Sequence, residues 1–150
     1  MDEQIKAFAG ILIAVVFALD GLLHLYWATG RVWPASDQLS LIQLVLNSNK
    51  TRLLRPRTLV SIAGILFLGA LTALARVHRL GVLGQLMPEP LLQLGILVIA
   101  TGLLLRGLAG IGWVFGWLAA KSALFYRLNL LVYTPLCLVL FVAAVAAARF

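Results

Sequence analysis

IKAFAGILIAVVFALDGLLHLYWA, residues 5–28, is the stretch whose reading decides the fold. As a helix rising 1.5 Å per residue it reaches about 36 Å, enough to cross the ~30 Å hydrocarbon layer of a bilayer. Lys6 lies near its start and Asp20 and His24 near its end; almost everything else in it is apolar. Three more runs of the same character follow at 58–75, 90–114 and 128–148. With no water in the bilayer core to satisfy backbone groups, such runs must be helices, and they are too apolar for barrel strands. The chain is therefore predicted to be all-α: one integral membrane domain over residues 1–150, built as a four-transmembrane-helix bundle.

Composition agrees. The chain is 63% hydrophobic and 11% charged, with a mean hydropathy of +1.05, whereas soluble domains are about 25% charged. The net charge of +7 comes from basic residues that flank the apolar runs, as membrane topology requires, so nucleic acid is not an expected partner. Cys137 is the one cysteine, which excludes a disulfide within the chain and a CxxC redox pair. The leader MDEQIK is acidic and no Ala-x-Ala site follows the first run, so that run is read as a retained helix rather than a secretory signal.

An even number of spans puts the first connection (29–57) and the third (115–127) on one side, called side A, with both termini on side B. Side A carries Arg31, Lys50, Arg52, Arg55, Arg57, Lys121 and Arg127; side B carries Lys6, Arg76, Arg79 and Arg149. Seven against four predicts side A in the cytoplasm and both termini outside. Ser36 is a candidate cap for a short helix over Asp37–Asn47, where Leu39, Ile42 and Leu46 repeat at helical spacing. That helix is expected along the interface or on the bundle mouth. Phe115, Trp117, Phe125 and Tyr126 give the third connection an aromatic-belt composition. Close helix contacts are expected at small residues four apart: Gly69 and Ala73, Gly112 and Gly116, Ala144 and Ala148.

Asp20 and Arg106 are the acid and the base inside these spans, and a charge in hydrocarbon costs about 2.5–3.5 kcal/mol on insertion scales. Each sits about four residues, or roughly 6 Å, from its helix midpoint towards side A. The shared depth predicts an Asp20–Arg106 pair, either a packing clamp or part of a site. His24 follows Asp20 by one turn, and the carboxylate could orient its ring and tune its titration. Tyr26 and Trp27 come next, with interfacial anchoring as the plainer role. Asn129 and Tyr133 are one turn apart on the fourth span, just before Pro135, which frees the Leu131 carbonyl and should kink the helix. Asp20, His24, Trp27, Arg106, Asn129 and Tyr133 are thus the candidate ligand-binding residues of a polar pocket opening to side A above an apolar floor. No catalytic residue is assigned.

Other chemistries lack their parts. Two histidines on opposite sides support neither a metal site nor a bis-His haem, so no metal and no cofactor is expected. The glycines at 107, 110 and 112 belong to a membrane helix rather than a nucleotide loop, and Ser61 and Ser122 have no histidine to activate them.

HLYWATG at 24–30, LRG at 105–107 and FYRLNLLVYTPLCL at 125–138 resemble the domain-of-unknown-function 3995 family of small four-helix bacterial integral membrane proteins. The resemblance spans almost the whole chain, with YTPLCL its most specific part. It implies a helical membrane protein, gives weight to His24, Trp27, Arg106, Tyr133 and Pro135, and implies no activity. Asp20 rests on physical grounds alone.

Three classes of function remain open. The pocket could take a membrane lipid or another amphipathic small molecule, with Arg106 on an anionic head group and Asp20–His24 as a proton-transfer couple. The chain could be a proton-coupled small-molecule transporter, although an Asp20 paired with Arg106 would stay ionised and carry no protons. Or it could be a structural or accessory subunit, a homo-oligomer or the companion of another membrane protein, with its charges as clamps.

Overall fold

The computed structural model describes residues 2–48 and 55–148, and among these every regular element is helical. The first span forms α1 (Asp2–Ala28), whose start takes in acidic Glu3, favoured at the positive end of a helix. After α2 (Gln38–Leu46) comes the second span, α3 (Pro56–Arg76), with Pro56 in the first turn where its missing N–H is harmless. A single turn, α4 (Val82–Gln85), leads to the third span, α5 (Glu89–Val114). The fourth span starts earlier than hydropathy places it. It comprises α6 (Ala123–Leu128), a π turn (Asn129–Tyr133) and α7 (Thr134–Ala148). Glu3–Ala28, α3, α5 and Ala123–Ala148 are each long and apolar enough to cross a membrane. Lys50, Arg52 and Arg149 of the charge count lie outside the described residues.

The spans stand in a ring in chain order. α1 packs on α3 and α7, α5 packs on α7 and α3, and α1 and α5 take opposite corners. Apolar side chains gain nothing by leaving lipid for one another, so close packing has to hold these helices. The glycines show where it does. A Cβ on Gly69 would meet the Phe17 ring at 2.8 Å, and one on Gly107 would meet Leu138 at 2.8 Å. Gly110 backs directly on the Thr134 hydroxyl. The Gly112/Gly116 pair does not join helices as expected. Gly112 faces Leu118 of its own connection, and Gly116 (φ 75°) ends α5 in a conformation that suits glycine.

Burial divides the bundle into levels. On side B, Ala9, Ile13, Ala73, Ile96, Leu140 and Ala144 form the main core. On side A, a second cluster of Trp27, Leu41 and Leu59 joins α2 to the ends of α1 and α3. The polar candidates fall between them. α2 therefore roofs part of the level that sequence alone left open to side A.

Two local expectations change. Asp37, not Ser36, caps α2: its carboxylate accepts from the Ser40 N–H (2.9 Å) and the Ser40 hydroxyl (2.8 Å), while Ser36 donates to it at 3.1 Å. These bonds hold the Asp37 carboxyl below its ordinary value of 3.8. α2 also buries Leu41, Ile42 and Leu44 and leaves Leu39 and Leu46 exposed, because the face that meets Trp27 is one step round from the one periodicity suggested. The helix stops at Asn47, which is left-handed (φ 51°) and joins the two side-A connections: its amide donates to the Ala119 carbonyl (2.8 Å) and its carbonyl accepts from the Lys121 N–H (2.6 Å).

Candidate functional site

Pro135 has no N–H and crowds the carbonyl four residues back, so a regular ladder cannot run through it. The chain answers with the π turn, in which the Thr134 N–H donates to the Asn129 carbonyl, five residues away. The buried stripe of the fourth span steps from Phe125 to Asn129 by four and from Asn129 to Thr134 by five. Asn129, fully buried, and Thr134 therefore both face α5. Tyr133, expected on Asn129's face, is half-buried beside them.

Arg106 is the centre of this region. Its guanidinium lies 5.3 Å from the centroid of Trp113 and 5.7 Å from that of Tyr133, both within cation–π range. Trp113 is two turns nearer side A on the same helix, so the Arg106 side chain extends towards that side. Nη1 donates to Asn129 Oδ1 at 3.3 Å, and Asn129 Nδ2 in turn donates to the Gly110 carbonyl at 2.9 Å. Trp113 also meets Phe125 edge-on at 5.1 Å, which fixes its ring. The Thr134 hydroxyl, packed on Gly110 beside this network, has no hydrogen-bond partner among the described residues. Trp113 was not a predicted site residue, though its i, i+7 spacing from Arg106 put it on the same helical face.

The expected Asp20–Arg106 ion pair is absent among the described residues. The two residues belong to opposite corners of the ring, with α7 between them, and shared depth says nothing of that. Asp20 is partnered within its own helix. His24 Nδ1 lies 2.8 Å from the Asp20 carbonyl and 3.3 Å from Oδ1. A carbonyl only accepts, so Nδ1 carries a proton in this contact. The half-exposed carboxylate orients the ring as the spacing suggested.

Trp27 does not anchor at an interface. It is 6% exposed under α2, its indole N–H donates to the Trp33 carbonyl (2.9 Å), and His24 packs against it at 5.1 Å. A hollow of about 40 Å³ between His24, Trp27, Leu41, Ile42 and Leu59 separates this pair from the roof. The belt of the third connection divides: Phe115 and Trp117 stack at 5.6 Å in the open, while Phe125 is buried. Among the described residues no three His, Cys, Asp or Glu side chains gather as metal ligands would.

A further polar cluster escaped sequence reasoning. Arg76, counted there as a flanking charge, is 8% exposed. It pairs with Glu89 (2.8 Å) and donates to Gln93 Oε1 (3.0 Å) and to the Ala148 carbonyl (3.3 Å), which Gln93 Nε2 also reaches (3.2 Å). The side-B ends of α3, α5 and α7 are tied together there.

The family model described as protein of unknown function (DUF3995) matches residues 14–144. That span includes every candidate residue and almost all of the Arg76 cluster. No curated protein and no solved structure matches the chain.

Proposed function

This chain belongs to the DUF3995 family, whose function is unknown, and we propose from its own geometry that its side-A polar level binds an amphipathic molecule, a lipid or a lipid-like compound, by an anionic group held on Arg106. One observation carries the reading. At hydrocarbon depth a guanidinium is held between two aromatic rings, bonded to a neutral amide, with no carboxylate on it among the described residues. Guanidinium has five N–H donors in a planar fork suited to carboxylate or phosphate, and one of the five is engaged here. Trp113 and Tyr133 supply the platform, and Asn129 fixes the rotation.

Dodecyl phosphate is a suitable probe, titrated into detergent-purified protein and followed by native mass spectrometry, with dodecanol as the uncharged control. Arg106→Gln should weaken dodecyl phosphate binding at least tenfold and leave dodecanol unchanged. Equal binding of dodecyl phosphate by wild type and Arg106→Gln would leave Arg106 as a clamp between α5 and the π turn.

Proton-coupled transport is the second reading, favoured by the Asp20 carboxylate being half-exposed and not paired with Arg106 among the described residues. Its test is pH-dependent resistance to toxic cations, which Asp20→Asn should abolish. Side A is proposed to face the cytoplasm of a bacterial inner membrane, on the seven-to-four excess of basic residues. Labelling of single cysteines at exposed Arg31 and Arg79 in intact cells tests that assignment.

A further inference from the structure

Between α1 and α3, on the outer face of the ring, runs an open furrow of about 430 Å³. It is unrelated to the polar level: Asp20 lies on the opposite face of α1. The floor is made of small side chains, Ala14, Ala18 and Ala70, and Ile11, Val15 and Leu71, all at least 40% exposed, stand as its walls. Two close approaches of the helices bracket it. At one end Gly10 meets Val77 and the Ala73 carbonyl; at the other the Phe67 ring lies flat on Gly21. Between these points the alanines leave the helices in contact behind and parted in front. The stretch from Ile11 to Ala18 rises about 10 Å, most of the ~15 Å of hydrocarbon in one leaflet.

The side-B end of the furrow is set apart by charge. Leu74 lines that end, and the Arg79 N–H donates to the Leu74 carbonyl at 2.9 Å. Together with the bond from the His78 N–H to the Ala75 carbonyl (3.0 Å), it closes α3 in a Schellman turn, with His78 left-handed at φ 54°. The turn brings the backbone of the exposed Arg79 beside Leu74, three residues beyond the end of the span. The neighbouring cations are otherwise engaged, Arg76 with Glu89 and Lys6 with Glu3. No acidic side chain pairs with Arg79 among the described residues.

We propose that this furrow seats one acyl chain of a phospholipid of the side-B leaflet, whose phosphate is held by Arg79. A flexible chain suits a trough this narrow, and a membrane surrounds the protein with such chains. What distinguishes the trough from ordinary lipid-facing surface is its alanine floor and a cation next to Leu74 with no acidic partner among the described residues. A net anionic head group is preferred over a zwitterionic one, because the cation is not already neutralised. The site is separate from the Arg106 level and stands or falls without it.

The test is native mass spectrometry of the full-length protein in neutral detergent, titrated in parallel with phosphatidylglycerol, phosphatidylcholine and inorganic phosphate. Phosphatidylglycerol should bind most tightly, with one molecule per chain sensitive to two substitutions. Arg79→Gln, at an exposed position that leaves the fold intact, should weaken it about fivefold, the worth of one basic residue at a membrane surface. Ala18→Leu, which fills the furrow, should weaken it at least as much, and Arg106→Gln should leave it unchanged. Equal phosphatidylglycerol binding by wild type, Arg79→Gln and Ala18→Leu overturns the proposal. So does inorganic phosphate competing as well as the lipid, or a dimer that Ala18→Leu abolishes, which would make the furrow a contact between copies. Loss in Arg106→Gln alone would move the lipid to the polar level and refute the furrow.

Discussion

Alanine at Gly110 and alanine at Gly102, two turns apart on α5, should move stability in opposite directions. Each substitution removes a glycine from a helix interior, which favours the helix by about 0.5–1 kcal/mol. At Gly102 nothing lies within 4 Å of where the new Cβ would stand, so that gain is the whole effect. At Gly110 the Cβ would fall on the Thr134 hydroxyl, with Thr134 Cβ at 3.0 Å and Cγ2 at 3.2 Å, close to backbone and unable to swing aside. Overpacking of that kind costs about 1–3 kcal/mol. Parting α5 from α7 also stretches the 2.9 Å bond from Asn129 to the Gly110 carbonyl, worth about 1 kcal/mol, and leaves a fully buried amide short of a partner. The two variants should differ by about 2–4 kcal/mol, with Gly102→Ala at or above wild type. Reversible unfolding in mixed micelles, followed by circular dichroism, measures this directly. Thr134→Ala in the Gly110→Ala background should recover part of the loss, since it removes two of the three colliding atoms. Equal stability of Gly102→Ala and Gly110→Ala, or no recovery in the double variant, would refute the account of how α5 meets α7.

Arg76→Met should cost about 2 kcal/mol, because bonds to a buried cation are lost at three helix ends, whereas Glu89→Gln should cost under about 1 kcal/mol, since Glu89 is half-exposed; the same unfolding assay separates them. Asn47→Ala removes both bonds between the side-A connections, so amide exchange over 38–47 should accelerate several-fold while that of the side-B core is unchanged. Asp37 has a lowered pKa in the fold, so its contribution to α2 is complete above about 3.8 and is lost as the pH falls through its folded value. The protection factors of Ser40 and Leu41, which divide out the intrinsic pH dependence of exchange, should therefore fall as the pH drops below 3.8 in wild type and stay constant in Asp37→Asn. Trp113→Leu should weaken dodecyl phosphate binding less than Arg106→Gln does, because it removes a platform and leaves the charge.

What a single sequence discloses here follows from what lipid enforces. Hydrocarbon demands long apolar runs, so the four long apolar helices were legible from counting along the chain. Azimuth was not. Which corner of the ring α5 occupies depends on how Gly107 and Gly110 fit Leu138 and Thr134, and composition does not carry that. The Asp20–Arg106 pair failed for this reason, and the Arg76 cluster went unseen because its partners come from α5 and the end of α7. Trp27 followed the rule for aromatic residues at a span end until α2 covered it. His24 and Asp20 were readable because one helix supplies both. Asn129 was legible as a polar residue near the mouth, but its pairing with Arg106 and Gly110 required the π turn.

That turn sets the phase between the two halves of the fourth span. It is, in effect, one residue more than a regular helix needs between Phe125 and the side-B core. A regular α-helix carrying the same residues through 129–133 would rotate everything before the turn by about 100° relative to everything after. Phe125 and Asn129 would swing towards lipid while Leu140 and Ala144 kept their places. The two halves of the fourth span are thus separate segments held in phase by one inserted residue. A shift of a single position there is felt at Arg106, on a different helix, and hardly at all in the core below.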